Sequence, residues 1–316
     1  MSRDTLIEVH NLYRYYGALC AVRDVSFTVQ RGEVLGFLGP NGAGKTTTME
    51  MICGTLAPSA GALMVGGVDL LDEPKRAKQC LGYLPEHPPL YRDLTVNEYL
   101  CFCGRLHGLA GGALHRAVAR ACERCGLETV GRRLIGNLSK GYQQRAGIAQ
   151  AILHAPAAVI LDEPTVGLDP IQIREIRELI RELRAEHSVI LSTHILPEVQ
   201  AVCDRVLIIN QGQLVLDDSL AHLAERRAGL SLRIALRQAP PLDRLLAIPG
   251  VLGIHTLDAD RYLIQYHSDH DPADGLVERA VQAGWGLYEL IPETHSLEET
   301  FVQLTCGDAP PARVAA

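Results

Sequence analysis

The spacing of apolar residues changes along the chain, and each pattern predicts a different element. Residues 5–16 (TLIEVHNLYRYY) and 21–33 (AVRDVSFTVQRGE) have the composition of short strands, with turns at Gly17 and at residues 31–32. Apolar runs that suit buried strands then recur, separated by longer segments of helical spacing. These runs are VLGFL at residues 34–38, AAVIL at 157–161 and SVILST at 188–193.

The helical segments lie between these runs. Residues 96–155 form a helical region that GLAGG and IGNLSKG interrupt, and residues 171–186 form a further helix. Because strands alternate with helices, the sequence predicts an α/β domain with a mostly parallel, right-handed sheet and its ligand at the carboxyl ends of the strands. A hairpin that turns at Gln211 and Gly212 is expected to close this domain.

A second, smaller domain is predicted after residue 228. The strand-like runs LSLRIAL, VLGIHTL and RYLIQYH and the helical run ADGLVERAVQAG favour a small α+β unit over residues 229–305. Residues 306–316 are rich in small residues and proline, so we expect a flexible tail there.

Composition and charge narrow the functional classes. The 30 basic and 37 acidic residues give a formal net charge of -7, which argues against a general binder of nucleic-acid backbones. The first residues lack the pattern of an export signal, and no apolar run approaches the roughly 20 residues that cross a bilayer. A membrane function would therefore depend on a partner protein.

Nine cysteines are scattered along the chain, which indicates free thiols in a reducing compartment. Cys101, Cys103, Cys122 and Cys125 have a spacing that could bind zinc or act in redox chemistry. Side chains two residues apart on a helix point to different faces, however, so Cys101 and Cys103 are poorly placed as a ligand pair. Packing between two helices is the preferred interpretation.

The strongest chemical signal is GPNGAGKT at residues 39–46, which has the apolar strand before it and the helix after it that a phosphate-binding loop requires. Gly42 and Gly44 let backbone N–H groups approach phosphates, and the helix N-terminus adds positive charge. Lys45 suits the β- and γ-phosphates, and the Thr46 hydroxyl suits Mg²⁺. The motif predicts a Mg²⁺–nucleotide site.

Three more side chains are expected at this edge of the sheet. Asp162 ends an apolar run, where its carboxylate can hold the magnesium shell. Glu163 follows, and a turn of the chain can direct its side chain toward an attacking water. His194 ends another apolar run, where a neutral imidazole can bridge the γ-phosphate and the catalytic carboxylate. The alternatives are an acidic surface turn and a structural histidine, which the adjacent phosphate loop disfavours.

These motifs are similar in type and order to those of ATP-binding cassette (ABC) transporters, and residues 6–220 resemble the ATPase subunit of that family. Besides the phosphate loop and VILDEP, LSKGYQQR at residues 138–145 resembles the signature, and VGLD at 166–169 resembles the D-loop. His194 matches the switch histidine. The resemblance implies an ABC domain over residues 1–228, with a RecA-like core, an antiparallel β subdomain and a helical signature subdomain at about residues 90–155.

The resemblance also implies the cofactors ATP and Mg²⁺ and a dimer with a second ATPase subunit, expected to be another copy of this chain. ATP would lie between the phosphate loop of one subunit and the signature helix of the other. Tyr16 would stack on adenine, with Tyr15 as the alternative. The nucleotide contacts implied are Tyr16, Gly39, Asn41, Gly42, Gly44, Lys45, Thr46, Thr47, Ser139, Gly141 and Asp169.

The chain departs from the family pattern in the signature, at Lys140 and at Tyr142, which stands in place of a glutamine, and at Glu86. Lys140 stands in the signature where a glycine is common, and its amine could favour the γ-phosphate or project into solvent or a salt bridge, which we prefer. Glu86, in GYLPEHPPL, stands where the family has a glutamine that reaches toward Mg²⁺ and the attacking water. We therefore treat Glu86 as a candidate metal ligand. This glutamate and SLEETFVQL at residues 296–304 resemble gliding-motility-associated and multidrug-export ATPases.

The resemblance implies an ATPase that powers a separate transmembrane permease, in the export direction, from the cytoplasmic face of the membrane. Tyr91, Leu94 and Tyr99 are expected to help form the groove that receives a permease helix. The alternative is a soluble ABC ATPase that acts on ribosomes or DNA. A single phosphate loop, the lack of a heptad run and the acidic charge disfavour that alternative and nucleic-acid partners generally.

Overall fold

The computed structural model of the protein describes residues 5–227, 231–258, 260–266, 271–293, 301 and 304–305. The chain divides into two compact units: the first comprises the residues up to Leu220 and the segment from Leu304 onward, and the second runs from Ala221 to Gln303. The predicted boundary after residue 228 follows the helix Leu220–Arg227. The predicted tail at residues 306–316, and residues 296–300 and 302–303 of SLEETFVQL, lie outside the described residues.

The first unit contains two sheets and a group of helices. Its elements in chain order are β1 (Thr5–Tyr16), β2 (Leu19–Gln30), β3 (Val34–Leu38), α1 (Lys45–Ile52), β4 (Ala60–Val65), β5 (Val68–Asp69), α2 (Pro74–Gln79), β6 (Leu81–Leu84), α3 (Val96–Leu106), α4 (Gly111–Arg124), α5 (Lys140–Ile152), β7 (Ala158–Asp162), α6 (Pro170–Leu183), β8 (Ser188–Thr193), α7 (Leu196–Val202), β9 (Arg205–Asn210) and β10 (Gln213–Ser219).

The central sheet has the strand order β10-β9-β3-β8-β7-β6. Strands β9, β3, β8, β7 and β6 are parallel, and β10 pairs antiparallel with β9. Every residue of β3, β7 and β8 is buried, because helices or the other sheet cover both faces of a parallel sheet of this kind. The predicted parallel sheet and the hairpin that turns at Gln211 and Gly212 are therefore confirmed.

The second sheet of this unit is antiparallel, in the order β2-β1-β4-β5. Its first two strands have 12 residues each; β1 spans the predicted residues 5–16, and β2 begins at Leu19, two residues before the predicted run. Asn11 and Asp24 have positive φ angles of 45° and 52°, and the Asn11 amide donates a hydrogen bond of 2.8 Å to Asp24. The strand register shifts between Val9 and Leu12. Such irregularity interrupts the alternation on which strand prediction depends.

Helices α3, α4 and α5 form a helical layer, and their apolar side chains share one core with residues of the central sheet and α6. Thr95 begins α3 with a capping box, in which Thr95 and Glu98 bond reciprocally. Cys103, Cys122 and Cys125 are buried in this core, so their thiols serve as packing groups. No cluster of three or more His, Cys, Asp or Glu suited to a metal ion occurs in the described part of the chain.

Tyr99 corrects the prediction for the permease groove. Its side chain is only 2% exposed and belongs to the core of the helical layer, so it cannot touch a docked helix. Tyr91, by contrast, is 55% exposed, and Leu94 is half-buried. Val96, Tyr99 and Leu100 share the inward face of α3 because of the helical repeat. The sequence alone did not indicate which face of this helix meets the core.

The second unit is a small α+β fold. Its elements are α8 (Leu220–Arg227), β11 (Ser231–Leu236), α9 (Leu242–Leu246), β12 (Val251–Thr256), β13 (Arg261–Tyr266), α10 (Ala273–Gln282) and β14 (Leu287–Glu293). The sheet is antiparallel with the order β12-β13-β11-β14, which is the split βαβ arrangement of ferredoxin-like folds. Strands β11 to β13 and helix α10 agree with the sequence prediction, whereas α9 and β14 were not predicted.

Candidate nucleotide-binding site

Four neighbouring strands of the central sheet end at one edge, and a candidate residue follows or ends each of them. The phosphate loop follows β3, His194 follows β8, Asp162 ends β7, and Glu86 lies two residues beyond β6. A cleft of about 390 Å³ opens at this edge. Its walls include the predicted residues Asn41, Gly42, Gly44, Lys45, Thr46, Thr47, Glu86, Glu163 and His194.

The phosphate loop passes into α1 at Gly44. This residue has φ 104°, and a Cβ atom there would lie 2.7 Å from the carbonyl oxygen of Ala21, so both backbone and space require glycine. Lys45 begins the helix and is only 6% exposed. Its Nζ donates to the carbonyl oxygens of Gly39 at 2.9 Å and Pro40 at 3.3 Å, so the side chain folds back across the loop.

Glu163 links the two sides of the cleft. It has a φ of 48°, which is uncommon for a residue with a side chain, and its N–H donates to the Ser192 carbonyl at 2.8 Å. One carboxylate oxygen lies 3.4 Å from Nζ of Lys45, and both lie within 3.0 Å of Nδ1 of His194. The backbone therefore turns this buried carboxylate into the cleft between a lysine and a histidine.

Asp162 is fully buried beneath the cleft, and neither carboxylate oxygen has a hydrogen-bond partner among the described residues. Burial raises its pKa, and the carboxylates of Glu163 and Glu86 add to that shift. The Ser192 and Thr46 hydroxyls are near enough to oppose the shift, although neither makes a hydrogen bond of ordinary length to Asp162. Orphaned carboxylate oxygens beside a threonine hydroxyl are a donor set that fits Mg²⁺.

Glu86 lines the same cleft, so its position differs from that of an ordinary surface charge. Its side chain is 40% exposed, and one oxygen lies 4.0 Å from Nδ1 of His87. The carboxylate acts electrostatically on Asp162, whose pKa it helps to raise. Glu86 therefore adds negative charge to a site that already contains Asp162 and Glu163.

The predicted signature and D-loop contacts Ser139, Gly141 and Asp169 do not line the cleft of their own chain, whereas Val166, the first residue of the D-loop, does. Ser139 caps α5 by accepting a hydrogen bond of 3.4 Å from the Tyr142 N–H, as a helix N-terminal role predicts. Asp169 caps α6 by accepting from the N–H groups of Ile171 and Gln172 at 3.0 and 2.9 Å. Sequence reasoning missed this second cap, although Asp before Pro is a common helix start.

Three other predicted positions have distinct surroundings. Gly141 packs so closely on Gln172 that a Cβ atom would lie 2.8 Å from the amide carbon. Lys140 is exposed and lies against Gly167 of the D-loop, with no ion pair to any described carboxylate. Tyr16 is 45% exposed at the end of β1 and does not line the cleft, and the Arg14 guanidinium lies 4.7 Å from its ring centroid.

Comparison with known proteins agrees with this geometry. The sequence profile of the ABC transporter family matches residues 22–166. The bacitracin transport ATP-binding protein BcrA of Bacillus licheniformis is 33% identical over 309 residues, which cover 96% of this chain and 98% of BcrA. The Nod factor export ATP-binding protein I of Burkholderia lata is 33% identical over 302 residues, which cover 95% and 96%.

A solved structure supports the same assignment. The structure of cbiO1 from Clostridium perfringens, part of the ABC transporter complex cbiONQ, aligns with a TM-score of 0.65 at 28% identity, over 71% of this chain and 92% of cbiO1. Fold and cleft define a nucleotide-binding ATPase of the P-loop class. The chain belongs to the ABC transporter family and is an ATP-binding, ATP-hydrolysing subunit of such a transporter. Among the described residues, no helix combines the length and apolar character needed to cross a bilayer.

Proposed function

We propose that two copies of this chain close around Mg²⁺–ATP and drive a separate membrane permease in the export direction. The observation that carries the proposal is that only some of the predicted ATP-contacting residues lie in the cleft of their own chain. Lys45, Glu163 and His194 converge in one cleft, whereas Ser139 and Asp169 lie outside it. A site in which a second subunit supplies the signature residues accounts for both facts.

The residues of the cleft divide the chemical work. Lys45 is held by the two carbonyl oxygens and by Glu163, and the phosphates of ATP offer its amine stronger, anionic partners. Release of Lys45 toward the phosphates leaves Glu163 to accept a proton from the attacking water. His194 then holds the Glu163 carboxylate by the hydrogen bond at Nδ1 and keeps it directed into the cleft.

Thr46 and Asp162 are the residues that would hold Mg²⁺, and Glu86 can join them from the cleft wall. When bound, the ion neutralises phosphate charge that builds up during transfer. Two observations on Asp162 support this assignment: its carboxylate oxygens have no hydrogen-bond partner among the described residues, and its pKa is raised by burial. A bound cation would stabilise such a buried carboxylate.

The exposed start of α5 supports the dimer. Ser139 is exposed, and it precedes a helix N-terminus whose first N–H groups and dipole favour an anion. In a closed dimer, Ser139 and the backbone of Gly141 would contact the γ-phosphate held by the other copy. Tyr16, which is also exposed, would be free to stack on the adenine base.

The permease contact is supported by an aromatic patch, which we define as Tyr91 and Phe102. Both side chains are exposed, and their rings meet edge to face with 5.5 Å between centroids. This patch follows Glu86 in the chain, so a docked helix could influence the cleft. The name of one relative, the Nod factor export ATP-binding protein I, supports the export direction, and an ATPase that drives a permease would act at the inner face of the membrane.

Replacement of Glu163 by glutamine tests the core of this proposal. Glu163→Gln should lower kcat by at least about 100-fold, since it removes the general base, while ATP affinity changes less than about twofold. The variant should elute as a dimer in the presence of Mg²⁺–ATP. The exposed Glu123→Gln serves as the control and should resemble the unmodified protein. Near-normal turnover would remove Glu163 from the catalytic role, and a stalled monomer would contradict the shared site.

A further inference from the structure

Glu198 on α7 is a buried acidic residue that the roles described above do not use. It is 1% exposed, and no lysine, arginine or histidine in the described part of the chain forms an ion pair with it. An isolated buried carboxylate is unfavourable unless hydrogen bonds compensate it. The partners of Glu198 therefore indicate what this residue does.

Two threonine hydroxyls supply those hydrogen bonds, one to each carboxylate oxygen. Thr165 donates to Oε1 of Glu198, and Thr193 donates to Oε2 at 2.9 Å. Both threonines are buried, at 3% and 0% exposure. A hydroxyl has a single proton, so each threonine uses its only donor on Glu198.

The two threonines belong to the two segments that carry the catalytic pair. Thr165 lies two residues after Glu163, and Thr193 immediately precedes His194. Thr193 is tied further by its Oγ1, which accepts from the Ile195 N–H at 3.1 Å, and by its carbonyl, which accepts from the Gly39 N–H at 3.4 Å. Glu198 thus connects the loop after β7 with the end of β8, which leads into His194, and, through Thr193, with the phosphate loop.

We propose that Glu198 is a positioning residue that keeps Glu163 and His194 in hydrogen-bond contact by fastening together the loops that carry them. The positive φ of Glu163 favours this interpretation, because a backbone in that conformation persists only where its surroundings impose it. Neither threonine nor Glu198 lines the cleft, so the effect acts through the geometry of the pair and not through contact with ATP. A displacement of about 1 Å at such a pair can lower a rate by about 100-fold.

This inference rests on the proposed function, since it assumes that Glu163 and His194 act on ATP. The test uses the purified full-length chain and near-isosteric variants that remove one hydroxyl, Thr165→Val and Thr193→Val. Thr165→Ser and Thr193→Ser retain the hydroxyl, and Gln200→Ala alters an exposed residue on α7. For each variant, kcat, KM, the affinity for ATP and the melting temperature are measured.

We expect each valine variant to lose at least about tenfold in kcat, with KM and ATP affinity within about twofold of the unmodified protein. The serine variants and Gln200→Ala should keep kcat within about twofold. Glu198→Ala combined with Thr193→Val should lose no more than Glu198→Ala alone, because both remove the same connection.

Several results would overturn the inference. Valine variants with normal kcat would do so, as would equal losses in the serine variants or strictly additive losses in the double variant. A parallel fall in ATP affinity and melting temperature would show a structural role instead. Glu163→Gln in the same assay distinguishes failure of the role proposed for Glu198 from failure of the proposed function. If it stalls hydrolysis while the valine variants turn over normally, only the role of Glu198 fails; if it turns over normally, the proposed function fails as well.

Discussion

The side-chain amine of Lys140 lies directly over Gly167, where a Cβ atom would be 2.2 Å from Nζ. Lys140 starts the signature helix and Gly167 belongs to the D-loop, so this contact joins two segments that are expected to face the partner subunit. The residue by which this chain departs from the common signature thus packs against its own D-loop. The Lys140 side chain is also exposed, as expected if it projects toward solvent.

Gly167→Ala should displace the Lys140 amine from the D-loop. The flexible lysine can move away, so the main energetic effect is the left-handed φ of 70°, which costs an alanine about 1 kcal/mol of stability. Lys140→Ala should change the free energy of unfolding by less than about 0.5 kcal/mol. If the contact orders the D-loop, both variants lower ATPase activity, and the double variant loses no more than Gly167→Ala. Lys75→Ala on α2 is the matched control, and additive losses in kcat would contradict the coupling.

Asp162→Asn should make the nucleotide-free protein more stable at neutral pH. Burial raises the pKa of Asp162, so its ionised form is unfavourable in the folded state. The stability that the protonated form confers is lost as pH rises through the folded-state pKa, and asparagine does not titrate. The free energy of unfolding of the variant should therefore rise relative to that of the unmodified protein as pH increases from acidic to neutral values.

Thermal or urea unfolding across this pH range measures the difference, with the exposed Asp93→Asn as the control. Mg²⁺–ATP should reverse the order, because it stabilises the unmodified protein and not the variant. A pH-independent difference would mean that the Asp162 carboxylate is already satisfied in the nucleotide-free protein.

Glu86→Gln should strengthen the binding of Mg²⁺–ATP. It removes one negative charge from a cleft that already contains Asp162 and Glu163, and it restores an amide donor. Two charges near a protein surface interact strongly enough that the binding free energy should improve by about 1 kcal/mol. The Mg²⁺ concentration for half-maximal ATPase activity should fall a few-fold. The assay is performed with and without the permease, and Glu73→Gln is the control. If neither the basal nor the permease-stimulated ATPase activity changes, Glu86 has no role in catalysis and only marks the resemblance to export ATPases.

Tyr91→Ala and Phe102→Ala should uncouple the ATPase from its permease. The aromatic patch lies outside the cleft, so the basal ATPase activity of the purified chain should stay within about twofold. Stimulation by the reconstituted permease should fall at least about tenfold, because exposed aromatic anchors contribute strongly to interfaces. Leu71→Ala, at a residue that is 52% exposed in the antiparallel subdomain, should leave stimulation intact. Full stimulation in both aromatic variants would move the docking surface elsewhere.

The parts of the fold that sequence reasoning predicted well are those with strong local patterns. The apolar runs that became β3, β7 and β8 are buried at every residue, so no alternation was needed to recognise them. Strands β4, β5 and β14 gave no such signal, because they contain glycine, proline or half-exposed residues. Tyr99 was assigned to a docking surface because a sequence does not state which face of a helix meets the core.

The amino-acid sequence by itself determined the phosphate loop, the acidic pair, the switch histidine and hence the family, because each depends on residue types at short, fixed spacings. Only the tertiary structure decided that Glu86 lines the cleft, that Asp162 is left with orphaned oxygens, and that Glu198 joins two segments through Thr165 and Thr193. Thr165 and Glu198 are 33 positions apart in the chain. Such contacts exist because parallel strands bring their carboxyl ends to one edge of the sheet.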